Sequence, residues 1–131
     1  GIRLFNEEKL WPNEEFASVL LIVRTEYLEN NPETIQKWVE SHEKTVTWIN
    51  ANPDKSKSLF SSFLIDYMGK SLPTKIIDES FSNITITSDP IKNSVIIFAE
   101  RADSLGYLGR DGYNLDGIFY NAVLNVNNGD L

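Results

Sequence analysis

Three prolines mark where helices begin, and they constrain the fold more than any other feature of the chain. They lie in Asn31-Pro32-Glu33, Asn52-Pro53-Asp54 and Ser88-Asp89-Pro90. Each sets a good N-cap side chain just before a proline at the first helical position, where no backbone N–H is needed. In the first two an acid follows, facing the positive end of the helix dipole. Behind the first, Ile35, Trp38, Val39, His42, Val46 and Ile49 recur at helical spacing as one apolar stripe. Behind the second run Leu59, Phe60, Phe63, Leu64, Tyr67 and Met68, stopped by Gly69. Behind the third run Ile91, Val95, Phe98, Ala99, Ala102 and Leu105, ending at Gly106. The three segments share a start signal but no common period, so they are not a solenoid repeat.

One segment breaks this helical grammar. Ala17 to Val23 is apolar almost without alternation, short, and rich in Val and Ile, which suits a strand buried on both faces. Asn83 to Ser88 alternates with period two and reads as a second short strand, with a short helix over Pro73 to Phe81 before it. The expected fold is therefore α/β, helix-dominated with a small sheet, and a single domain over residues 1–131. A buried strand without a neighbour tends to recruit another chain. We expect residues 17–23 to pair with Asn83–Ser88 or to form a homodimer. The tail is glycine-broken through Gly106, Gly109 and Gly112, a turn region without the spacing of a dinucleotide loop. A last amphipathic turn or two is expected around Leu115, Ile118, Phe119 and Ala122.

Composition narrows the partners. The net charge is −7, and the 12 Lys and Arg residues are scattered, so no concentrated cationic surface for nucleic acid or an acidic membrane is readable. With no cysteine there is no disulfide or thiolate chemistry. Val19 to Val23 is the longest apolar run and far too short to span a bilayer. The opening Gly1-Ile2-Arg3-Leu4-Phe5, with Glu7, Glu8 and Lys9 close behind, does not read as a signal peptide.

Catalytic patterns are sparse. The one histidine, His42, lies on the first helix's apolar stripe and reads as a packed residue rather than a base. Glu7, Glu8, Glu14 and Glu15 read as a solvated acidic lead-in. No metal-ligand spacing appears, and no cofactor is implied. The Asn83-Ile84-Thr85 sequon is too short a pattern to carry weight. Trp38 belongs to the core stripe, and Trp48 to a packing seam or interface. The most promising group is Trp11, Asn13 and Phe16. An aromatic beside a polar amide at a strand entry fits the wall of a ligand cleft. It equally fits an anchor for the N-terminal arm.

The order of elements resembles a known family. Ile22-Val23-Arg24-Thr25-Glu26-Tyr27-Leu28, then Pro32-Glu33, then Trp48-Ile49-Asn50-Ala51-Asn52-Pro53 are similar to the C-terminal part of the nitrate/sulfonate/taurine class of ABC-transporter substrate-binding proteins. The stretch from Ile84 to Leu108 resembles the family's closing strand, helix and turn, and Asn114 to Leu124 its terminal docking segment. The resemblance covers nearly the whole chain. It implies a C-terminal fragment of a type II periplasmic-binding, or venus-flytrap, fold, with the residues 17–23 strand returning the chain between lobes. It also implies a non-enzymatic role outside the cytoplasmic membrane, periplasmic or as an anchored lipoprotein. There a small anion or related solute is captured and passed to a membrane permease. The pocket would then be bordered by Trp11, Asn13 and Phe16. Relatives on this scaffold that bind or make thiamine-pyrimidine precursors are the alternative, as is a free-standing helical interaction domain.

Overall fold

The computed structural model describes residues 4–109 and 112–120. It divides into two compact units, one of Asn31–Ser88 and one of Gly1–Asn30 with Asp89–Leu131. Helix dominates both.

The Asn31–Ser88 unit holds three helices: α2 over Pro32–Ala51, α3 over Pro53–Met68 and α4 over Thr74–Ser82. Helix α3 packs against both of the others. Both Asn-Pro starts lie where the sequence places them, and Gly69 ends α3 in the left-handed conformation at φ 73°. There its amide donates to the Ile65 carbonyl at 2.8 Å, as a glycine stop should. The cap chemistry differs from expectation: neither Asn31 nor Asn52 makes a side-chain cap bond. Asn52 instead turns its Nδ2 back to the Trp48 carbonyl at 2.9 Å, so it closes α2 rather than opening α3. The Ser56 hydroxyl then donates to the Asn52 carbonyl at 2.9 Å. That bond lets a serine be buried at the junction between two helices.

The core of this unit is small. Val46, Leu64 and Ile77 are its buried apolar side chains, with Ile77 only 4% exposed, and Phe60 meets Phe81 edge-on at 5.9 Å. The α3 stripe is mostly not core: Leu59, Phe63, Tyr67 and Met68 all stay exposed. Trp38 is also exposed, stacked on His42 one turn along the helix at 5.4 Å. An apolar stripe is buried only as far as neighbouring elements reach over it, and here α4 covers one turn's width of α3.

The other unit carries α1 over Thr25–Asn30, a short helix, and α5 over Lys92–Ser104. Helix α5 begins two residues later than Pro90 suggests. The Asp89 side chain accepts the Ile91 amide at 2.8 Å and Ile91 takes a left-handed φ of 48°. That local turn competes with helix at Pro90. Two 3-10 turns, Glu7–Leu10 and Pro12–Glu14, flank Trp11.

No β-strand occurs among the described residues, so the expected small sheet is corrected. Residues 17–23 are extended, but Val19, Leu21 and Ile22 are exposed rather than buried on two faces. Residues 83–88 likewise form no strand; there the Ile86 carbonyl accepts from the Asn50 side chain at 3.0 Å. Strand propensity supplies an extended backbone, but a strand exists only when a second chain segment supplies the ladder. Near the end, the Ile118 amide donates to the Leu115 carbonyl at 3.1 Å in a turn. Ala122 lies outside the described residues.

Candidate functional site

Trp11 is the most deeply buried aromatic of the unit built on α5, at 8% exposure. The two 3-10 turns on either side of it bend the lead-in so that its ring lies flat on two phenylalanines. Phe16 stacks at 4.5 Å between ring centroids and 25° between planes, and Phe98 at 6.2 Å and 21°. Such offset stacks contribute about 0.5–1.5 kcal/mol each beyond the area they bury.

A cation completes the group. The Arg101 guanidinium carbon lies 4.4 Å from the Trp11 ring centre, and its Nη2 donates to the Leu10 carbonyl at 2.9 Å. Phe98 and Arg101 are three residues apart, so one face of α5 presents both. A guanidinium over an indole gains from the ring quadrupole and keeps its remaining N–H donors for another acceptor. The Trp11 Nε1 is buried and has no hydrogen-bond partner among the described residues. An indole N–H without an acceptor costs free energy, and here it lies next to a positive charge.

The structure thus joins two of the three expected site residues. Trp11 and Phe16 are in contact, while Asn13 sits on the exposed turn at φ 56°, a conformation asparagine tolerates better than most residues. Both earlier readings of Trp11 find something here, since the ring anchors the N-terminal arm to α5 and also carries an unused donor. The sequence reading missed Phe98 and Arg101 as site residues. Their i, i+3 spacing on α5 was visible, but nothing local said that Trp11, some 90 residues earlier, packs on that face.

A second, open depression of about 380 Å³ lies in the other unit, lined mainly by Ile49, Pro53, Lys57, Asp78, Phe81 and Ile84. Its one cation is already used: Lys57 Nζ lies 2.7 Å from Asp78 Oδ1. That hydrogen bond is the chief reason the Lys57 ammonium is held above its ordinary value. With its charge neutralised in place, the depression offers an anion little.

Among the described residues no three of His, Cys, Asp and Glu come together as a metal site, and no helix is long and apolar enough to cross a membrane. Comparison with protein-family models, curated proteins and solved structures found no match to this chain.

Proposed function

We propose that this chain is the C-terminal part of an extracytoplasmic solute-binding protein serving an ABC uptake transporter. Its solute is a small anion of the nitrate, bicarbonate, sulfonate or taurine class. The observation that carries this reading is the pairing of the Arg101 guanidinium with the orphaned Trp11 N–H beside Phe16 and Phe98. A fork of charged donors and a neutral donor suits a planar or tetrahedral oxyanion, and the rings suit a short apolar tail. The resemblance assigns the cleft border to the same segment. A net charge of −7 is compatible with anion capture, because local donors outweigh the total charge at contact distance.

In this role the chain carries out no reaction. It holds the solute until a permease accepts it, and lobe closure by hinge motion supplies the retention. A second reading, a helical interaction domain, is favoured by the exposed apolar segment at residues 18–23.

The test is a thermal-shift screen against nitrate, bicarbonate, taurine, alkanesulfonates and thiamine-pathway pyrimidines. A ligand at a hundred times its dissociation constant adds about 2.7 kcal/mol, which raises the melting point by several degrees for a chain of this size. A shift with one of the anions supports the reading. A shift with a pyrimidine alone supports the thiamine-precursor alternative. No shift with any of them counts against a site carried by this chain.

A further inference from the structure

We propose that the extended segment Ser18–Val23 is a self-recognition edge. Two copies of the chain join through it as an antiparallel pair about a two-fold axis at Val19. The segment lies in the same unit as Trp11 and α5, and the inference stands independently of the solute reading.

The argument starts from the backbone. Among the described residues, no hydrogen bond is made by the backbone of Ser18 to Val23. Ala17 is different: its amide donates to the Ser94 hydroxyl at 3.0 Å. In an extended chain, alternate residues aim their amides at opposite edges. Ala17 therefore commits the edge of residues 17, 19, 21 and 23 to the body of its own unit. Ser18, Leu20 and Ile22 aim their polar backbone groups the other way. That open edge is flanked by exposed apolar side chains, with Val19 at 86% and Ile22 at 94% exposure. It bears no proline and no charge, the features that normally protect an edge from pairing.

Charge at the two ends selects the partner and the direction. Glu14 and Glu15 precede the segment and Arg24 follows it, all exposed. In a parallel, in-register pair each charge meets its own kind. In an antiparallel pair centred on Val19, Ala17 lies opposite Leu21, Phe16 opposite Ile22, and Arg24 opposite Glu14, twice by symmetry. Opposite charges facing across a ladder favour that direction and like charges oppose the other. Arg24 now pairs with Glu26 at 2.6 Å, with both side chains more than 70% exposed. So solvated a pair holds Arg24 only weakly, and the exchange costs little. A second copy of this chain is thus the occupant whose charges match both ends at once, by an isologous contact that closes after two copies.

The chain has no cysteine, so a single introduced thiol reports contact cleanly. Val19 falls at a non-hydrogen-bonded position, where facing Cα atoms are about 4.5 Å apart, within disulfide reach. Under mild oxidation Val19→Cys should cross-link to its own copy several-fold faster than Ile22→Cys, whose symmetry mate lies further along the ladder. In sedimentation velocity the unmodified chain should run at twice its monomer mass. Arg24→Glu should dissociate it, and Glu14→Lys with Glu15→Lys on that background should restore it. A monomer at all concentrations overturns the proposal, as do equal cross-linking rates at the two positions or an open-ended series of larger species. Circular dichroism of each variant separates loss of pairing from loss of fold.

Discussion

The Ser94 hydroxyl accepts the amide of Ala17 at 3.0 Å and donates to the carbonyl of Ile91 at 3.0 Å. One buried side chain, 2% exposed, thereby ties the start of α5 to a segment 77 residues away in sequence. It does so at a point of strain, because Ile91 is a β-branched residue at φ 48°, where such side chains are disfavoured.

Ser94→Ala removes both bonds and leaves the Ala17 amide without its acceptor. We expect a loss of about 1–3 kcal/mol in unfolding free energy, read by urea denaturation. Hydrogen exchange at Ala17 should accelerate in the same variant. Ser104→Ala, which breaks a bond on the exposed end of α5 to the Arg101 carbonyl, should change stability by no more than about 0.5 kcal/mol.

Trp11 anchors the N-terminal arm to α5. Trp11→Ala should cost about 3–5 kcal/mol, a large share of the stability available to so small a core. Arg101→Lys keeps the charge but loses the planar fork that lies on the ring. It should leave the melting point within a few degrees while weakening binding of any oxyanion at this position, as measured by calorimetry.

Ile77 is the most buried apolar side chain of the Asn31–Ser88 unit. Ile77→Ala should cost about 2–5 kcal/mol, whereas Leu59→Ala, at a position 60% exposed, should stay within about 0.5 kcal/mol. Equal effects at the two sites would contradict the packing of α3 described above.

The Lys57–Asp78 pair gives a pH dependence of known sign. Hydrogen bonding to Asp78 raises the Lys57 ammonium above its ordinary value, so the charged form is favoured in the folded chain. The stabilisation is fully present below lysine's ordinary range and is lost as pH rises through the raised value. The stability difference between the unmodified chain and Lys57→Met should therefore be flat from neutral pH to about pH 9 and shrink above lysine's ordinary range. A difference that grows with pH would contradict the assignment.

What was legible in the sequence was local. Pro32, Pro53 and Gly69 carry their own backbone constraints, and the helices they bound lie where those constraints put them. The expected sheet depended on a partner segment that local propensity cannot specify, so Ala17–Val23 is extended but is no strand. The caps failed differently, because Asn52 had two acceptable uses for its side chain and the α2 end won. Asp89 likewise spent its carboxylate on a turn, moving the start of α5 to Lys92. The site was half visible: Trp11 and Phe16 stood out as aromatics near an apolar run. Arg101 entered only through a long-range contact, to which sequence spacing is blind.

The central claim is that the Trp11–Arg101 cluster receives a small anion. Trp38 and Trp48 are both exposed, so Trp38→Phe with Trp48→Phe leaves Trp11 as the sole indole reporter. That variant should be titrated with taurine, alkanesulfonates, nitrate and bicarbonate while Trp11 emission is followed. The account predicts a saturable change with one of these anions, abolished by Arg101→Met. A folded protein whose Trp11 emission ignores all of them, or responds equally without the guanidinium, would contradict it.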